Sequence, residues 1–153
     1  MAAASSEYEV IWLVRRLFRA MARAADAYLG AHGLTAADRA VLEFLYPEQA
    51  LTVPEIASRY QVSRQHVQLT VTTLLEDGFL EARHNPRHKR SPLIAMTRVG
   101  RDLFAKIREV EASHVDALFT DIPAGDIEAT RRTLEAMYFQ NLKQGEIDET
   151  HHP

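Results

Sequence analysis

Apolar residues along this chain recur at helical spacing in six stretches, and between the fourth and fifth the period changes. From Tyr8 to Gly30 they fall at Val10, Val14, Leu17, Phe18, Met21, Ala25 and Tyr28, which predicts a helix about 33 Å long. Gly30 and Gly33 end it. Thr35 followed by Asp38 reads as a capping box. It opens a second helix whose face is Ala40, Val41, Phe44 and Leu45, and which Pro47 closes. Thr52 and Glu55 form another box, with Pro54 in the first turn where proline is tolerated, so a short helix is predicted over 53–60. Gln61 and Val62 turn the chain. Ser63 starts a helix that runs to Asp77 and stops at Gly78, with Val67, Thr70, Val71 and Leu74 facing inward.

After Gly78 the pattern is extended. FLEAR (79–83) and PLIAM (92–96) predict a two-stranded hairpin around HNPRHKRSP (84–92). A loop of that length is long for a hairpin and is often functional. Thr97 then caps a long helix to about Thr120, with Leu103, Phe104, Ile107, Val110, His114 and Leu118 as one stripe. Pro123 and Gly125 break the chain before a last helix with Ile127, Leu134, Met137, Tyr138 and Leu142 as its stripe. The end, GEIDETHHP, reads as a polar, frayed tail.

This order predicts a mainly α (α+β) fold. Residues 53–77 have the pattern of a helix-turn-helix: Ala57 is small at the helix crossing, Val62 plugs the turn and Val67 locks the second helix. The basic hairpin that follows makes it a winged helix-turn-helix, over residues 34–97 of a single unit spanning 1–153. The flanking helices, 8–30 and 98–143, carry more apolar stripe than one small winged domain needs. They are therefore expected to form the interface of a homodimer.

Composition narrows the class. The chain has 153 residues, 46% of them hydrophobic, and no cysteine, so disulfides, thiolate metal sites and thiol redox switches are excluded. MAAASSEYE has neither the basic nor the apolar region of a signal peptide. No apolar run approaches the length that spans a membrane. A soluble cytoplasmic protein is expected.

Charge is divided unevenly. Residues 59–101 hold eight basic residues against three acids, a net of +5, while the other ten basic and eighteen acidic residues leave −8 on the rest. A basic middle between acidic flanks is the footprint of a polyanion-binding face; a merely solvated patch is the plain alternative. The outward residues of the 63–77 helix decide between them. Ser63, Arg64, Gln65, His66, Gln68, Thr72 and Thr73 surround a face with no acid from Ser63 to Leu75. Gln pairs with adenine, Arg with guanine, and Thr bonds a base or touches a thymine methyl in the major groove. His66 is placed beside a phosphate or at the turn. The loop then becomes the wing tip, its freedom limited by Pro86 and Pro92. Arg90 is expected in the minor groove, with Arg87 and Lys89 on phosphates.

The run LTVPEIASRYQVSRQHVQLTVTTLLEDGFLEARHNPRHKRSPLIAMTRVGRDLF (51–104) resembles the DNA-binding core of the MarR (multiple-antibiotic-resistance regulator) family. Its pieces are VSRQHV, LLEDGFLEAR and RSPLIAMTRVG, in that order and spacing. Four positions depart from the family pattern. His88 stands where the wing Asp is usual, Gln61 where the turn usually has Gly, and Leu69 and Thr70 where polar and apolar residues respectively are more common. The resemblance implies a homodimer on double-stranded DNA with a pseudo-palindromic operator. It also implies a repressor that a small anionic aromatic ligand releases.

For such a ligand, Trp12 and Arg16, four apart on one helix face, are the candidates, together with Phe44. An aromatic ring beside a guanidinium suits an aromatic carboxylate. Packing of Trp12 in the dimer interface is the commoner role for an aromatic at helical spacing. His114 reads as an interface histidine. His151 and His152 with Glu149 form no designed metal set, and neither metal nor cofactor is expected. No phosphate loop, nucleophile elbow, zinc-protease motif or triad marks an enzyme. The alternative function is a winged-helix protein–protein module, which calls for an acidic or apolar reading face.

Overall fold

The computed structural model describes residues 5–149. Its elements are α1 (Ser6–Gly30), α2 (Ala36–Leu45), β1 (Ala50–Leu51), α3 (Val53–Tyr60), α4 (Arg64–Glu76), β2 (Leu80–Arg83), β3 (Leu93–Met96), α5 (Arg98–Phe119) and α6 (Ala124–Glu149). The predominance of helix with one small antiparallel sheet is the predicted class. Two compact units divide between Ala112 and Ser113, inside α5.

Local signals set the helix starts. Thr35 accepts a hydrogen bond from the Asp38 N–H, and the Asp38 carboxylate accepts one from the Thr35 N–H. Thr52 and Glu55 repeat the exchange at α3. Ser63 caps α4 by accepting from the His66 N–H at 3.1 Å. Each cap satisfies N–H groups that a helix start leaves unpaired. At the turn between α3 and α4, Gln61 adopts φ 58°, ψ 41°. That left-handed conformation explains why glycine is the usual residue there.

The sheet corrects the sequence reading. In place of a two-stranded hairpin there are three strands in the order β1-β3-β2. β1 pairs antiparallel with β3 through Ala50↔Ala95 and Leu51↔Ile94. Two residues carry no periodicity, so their pairing partners, Ala95 and Ile94, are invisible locally. On the other side β2 meets β3 from Leu80↔Met96 to Arg83↔Leu93, which opens the wing loop at 84–92.

The core of the first unit is one cluster. It joins Leu29 of α1, Val41, Leu42 and Leu45 of α2, Ile56 and Ala57 of α3, Val67, Val71 and Leu74 of α4, Leu80, Ile94 and Met96 of the sheet, and Phe104 and Ile107 of α5. The inward faces predicted for α3 and α4 are the buried ones. α1 behaves differently. Only its C-terminal end reaches the core, through Ala25, Tyr28 and Leu29, whereas Val10, Leu13, Val14, Leu17, Phe18 and Met21 are exposed, Phe18 by 71%.

A polar cluster ties α1, α2 and α5 behind this core. Arg39 donates to both oxygens of Glu111 at 2.6 and 2.7 Å, and the Tyr28 hydroxyl donates to Glu111 at 2.8 Å. The Arg39 guanidinium holds the Glu111 carboxyl below its usual range. Burial, then the Glu111 hydrogen bond and charge, push Tyr28 up to about 12.

One further contact fixes where α5 begins. The Thr97 hydroxyl donates to Gly78 O at 2.7 Å and accepts from the Gly100 N–H at 3.0 Å. A β-carbon at Gly100 would fall on the Phe79 carbonyl oxygen, so only glycine lets α5 pass this close to the turn after α4.

In the second unit, Pro123 O accepts from the Asp126 and Ile127 N–H groups as α6 starts. Arg131 pairs with Glu128 and Glu135 along one side of the helix. Leu134, Tyr138, Phe139 and Leu142 remain exposed. α6 continues to Glu149, into the stretch read as a frayed tail. A helix already propagating loses only about 1 kcal/mol at a single glycine such as Gly145, too little to end it.

Candidate nucleic-acid interface

The candidate surface begins with what lies behind it. Val67, Thr70, Val71 and Leu74 are buried on the back of α4, and Thr70 satisfies its hydroxyl by donating to His66 O at 3.2 Å. Each residue turns a helix by about 100°, so the opposite face is fixed once the buried one is known. Gln65, Gln68, Leu69 and Thr72 stand on it, and all are exposed. Arg64 is exposed on the flank, about 70° from the centre of the buried face by the same geometry.

Hydrogen bonding within α4 refines what these groups offer. The Thr72 hydroxyl donates to Gln68 O at 2.8 Å and accepts from Gln68 Nε2 at 3.3 Å. Thr73 donates to Leu69 O at 3.3 Å. Both hydroxyl protons are thus turned to the helix backbone, a common habit of threonine in helices. What Thr72 and Thr73 add outward is chiefly their methyl groups. His66 is exposed, and its ring lies 6.4 Å from that of Tyr60. The Ser63 side chain is engaged as the cap.

The wing stands beside the start of α4. Arg64 lines one hollow with Thr52, Pro54 and Glu55 of the α3 start and with Asn85, Arg87 and His88 of the wing. Glu55 and Arg87 line the same hollow; the Thr52 N–H and hydroxyl, followed by the charges of Arg59 and Arg87, hold the Glu55 carboxyl below the usual range. Arg87, Lys89 and Arg90 are all exposed.

The residue that shapes the wing escaped the sequence reading. Asn85 is only 7% exposed. Its Nδ2 donates to Ser91 O at 2.7 Å, and its Oδ1 accepts from the Arg87 N–H at 3.0 Å. One amide therefore ties the entry of the loop to its exit and turns the chain toward Arg87. The usual wing acid is replaced by His88, and Asn85 supplies order to the loop from within. Its signal in the sequence was the Asn-Pro pair at 85–86, a turn-forming dipeptide.

The candidate ligand residues separate. The Arg16 guanidinium lies 4.3 Å from the Trp12 ring centre on exposed α1. Phe44 instead packs against the core, its ring 6.0 Å from that of Tyr60. Among the described residues no group of three His, Asp or Glu side chains is placed to hold a metal ion. The His151 and His152 cluster lies outside the described residues.

α3, the turn at Gln61, α4 and the β2–β3 wing make this a winged helix-turn-helix protein. Residues 32–91 match the family model described as MarR family, the family that the sequence resembles. An uncharacterized protein of Mycobacterium bovis, Mb2034c, is 38% identical over 90 residues. That alignment takes in 59% of this chain and 63% of the relative's length. The HTH-type transcriptional regulator PetP of Rhodobacter capsulatus is 27% identical over 128 residues, 79% of this chain and 77% of PetP. Among solved structures, the MarR family transcription regulator SP03579 superimposes with TM-score 0.83 at 24% identity, covering 90% of this chain and 92% of that one. MepR of S. aureus in its DNA complex gives 0.75 at 21% identity, covering 84% and 95%. These structural likenesses show the fold.

Proposed function

We propose that the chain is a sequence-specific DNA-binding transcription regulator that works as a homodimer on a pseudo-palindromic operator. The observation that carries the reading is the meeting of two cationic parts. Arg64 at the start of α4 and Arg87 in the wing line the same hollow, so the reading helix and the wing tip form one continuous surface. α4 suits the major groove, with Gln65 and Gln68 as base readers and Ser63, Arg64, His66 and Thr72 around them. Arg87 and Lys89 meet phosphates, and Arg90 enters the adjacent minor groove. MepR of S. aureus, which shares the fold, has been solved in complex with DNA, which supports DNA as the partner of such a fold.

Homodimerisation rests on the exposed apolar strip of α1 from Val10 to Met21, which a second copy covers. Two copies then set two α4 helices about one helical turn of DNA apart. Repression is the expected outcome where such a dimer covers a promoter. Release by a small anionic aromatic is supported by the open Trp12–Arg16 pair, which presents a ring and a guanidinium together.

A salt titration of binding to genomic fragments tests the core of the proposal. With about six phosphates neutralised, log K falls against log salt with a slope near −5. Failure to bind any duplex at low salt sinks it. Sedimentation reads the dimer separately, and Trp12 fluorescence against a set of aromatic acids reads the ligand.

A further inference from the structure

We propose that Leu69 is a specificity-determining residue that reads the 5-methyl group of a thymine. The inference rests on the DNA-binding reading above and assigns a role that the polar contacts do not cover. Leu69 is 66% exposed in the middle of α4. Taking about 100° per residue, it points about 150° away from the centre of the buried face, close to directly outward. Gln65, one turn before it, and Thr73, one turn after, lie within about 40° of it around the helix axis. Any surface that α4 presses against meets Leu69 among the first groups.

The chemistry of that surface is then restricted. Base edges in the major groove are hydrogen-bond donors and acceptors, with one apolar group among the unmodified bases, the thymine methyl. A leucine laid over the amino group of cytosine or the acceptors of guanine would strip water from them and return no hydrogen bond, which is costly. Against a thymine methyl it removes apolar surface from water on both sides. The neighbouring threonines reinforce this. Thr72 and Thr73 have turned their hydroxyl protons to Gln68 O and Leu69 O, so they bring methyl groups to the same patch. The face is therefore mixed, with amides at Gln65 and Gln68 and an apolar spot centred on Leu69. Leu69 lies five residues past Arg64, about 7.5 Å along the axis. The thymine it reads is accordingly about two base steps from the nucleotide that Arg64 contacts.

The test selects bound duplexes from a random-sequence pool with the full-length protein. In the selected duplex, each thymine is then replaced singly by deoxyuridine, which removes only the methyl group. The expected result is one position per half-site where the wild type loses about fourfold in affinity, the worth of one buried methyl group. In Leu69→Ala the same replacement has no effect, while losses at other positions persist. Leu69→Ala keeps the wild-type thermal midpoint, because the side chain is exposed and alanine is at least as good a helix former. A duplex that tolerates deoxyuridine everywhere, or whose methyl-sensitive position stays sensitive in Leu69→Ala, overturns the assignment and leaves the DNA-binding reading standing. Recovery of no duplex from the pool overturns both.

Discussion

α4 and the wing belong to one surface and are held in opposite ways. Four residues seat the back of α4 in the core, Val67, Thr70, Val71 and Leu74, so its outer side chains inherit the rigidity of the whole first unit. The wing tip, 84–92, has Asn85 as its buried side chain, and a single amide with two hydrogen bonds closes the loop. The difference matches two kinds of contact. Reading a base edge needs a side chain held in register with donors and acceptors, whereas a phosphate accepts a cation over a wide range of approach. A core-backed helix suits the first task and a clamped loop the second.

The largest effect expected from breaking this arrangement is on α4. Leu74→Ala opens a cavity under the helix and should cost about 2–5 kcal/mol in urea denaturation. Because the same packing orients Gln65, Gln68 and Leu69, base selectivity should fall with stability. A loss below about 1 kcal/mol would mean that the core does not seat α4 in this way.

Asn85→Ala should separate what Leu74→Ala joins. Removing the amide unpairs the Ser91 carbonyl and the Arg87 N–H, but both can turn to water in a loop so exposed. A cost of about 1 kcal/mol is expected. DNA affinity should weaken chiefly through the phosphate contacts proposed for Arg87 and Lys89, with a shallower salt slope, while the preference at the bases proposed to face α4 stays the same. If instead selectivity changes and the salt slope does not, then the wing reads sequence and the division of labour is wrong.

The same contrast explains how much was legible in the sequence. α4 was plain there, since its cap at Ser63, its stop at Gly78 and its stripe at 67, 70, 71 and 74 are all local signals. The sheet was only partly so. β2 and β3 announced themselves, but β1 is two residues whose strand character exists only by pairing with Ala95 and Ile94. The wing's charges were visible as composition, and the Asn85 clamp was not, because its meaning depends on where Ser91 returns. Leu69 stands in the sequence as a departure from the pattern of the family it resembles, with no polar chemistry to mark a role. Its outward direction follows from the stripe at 67, 70, 71 and 74, and what the structure adds is its 66% exposure. The Gly100 passage over Phe79 likewise joins residues that no periodicity relates.

The smallest expected effect lies at the joint between the two helices, and its sign is the informative part. Gln61 holds a left-handed conformation at φ 58°, where a β-carbon costs about 1–2 kcal/mol. Gln61→Gly removes that strain. It also loosens the unfolded chain, which takes back about 0.4–1 kcal/mol. A net gain of about 0.8 kcal/mol is expected in chemical denaturation, the difference between the centres of those two ranges. Gln61 is exposed and precedes the cap of α4, so the variant alters neither the buried back of α4 nor the Asn85 clamp. DNA affinity, base selectivity and salt slope should therefore all stay at wild-type values. A gain in stability accompanied by weaker binding would show instead that the strained turn helps to aim α4. Reading geometry would then be set at the turn as well as in the core.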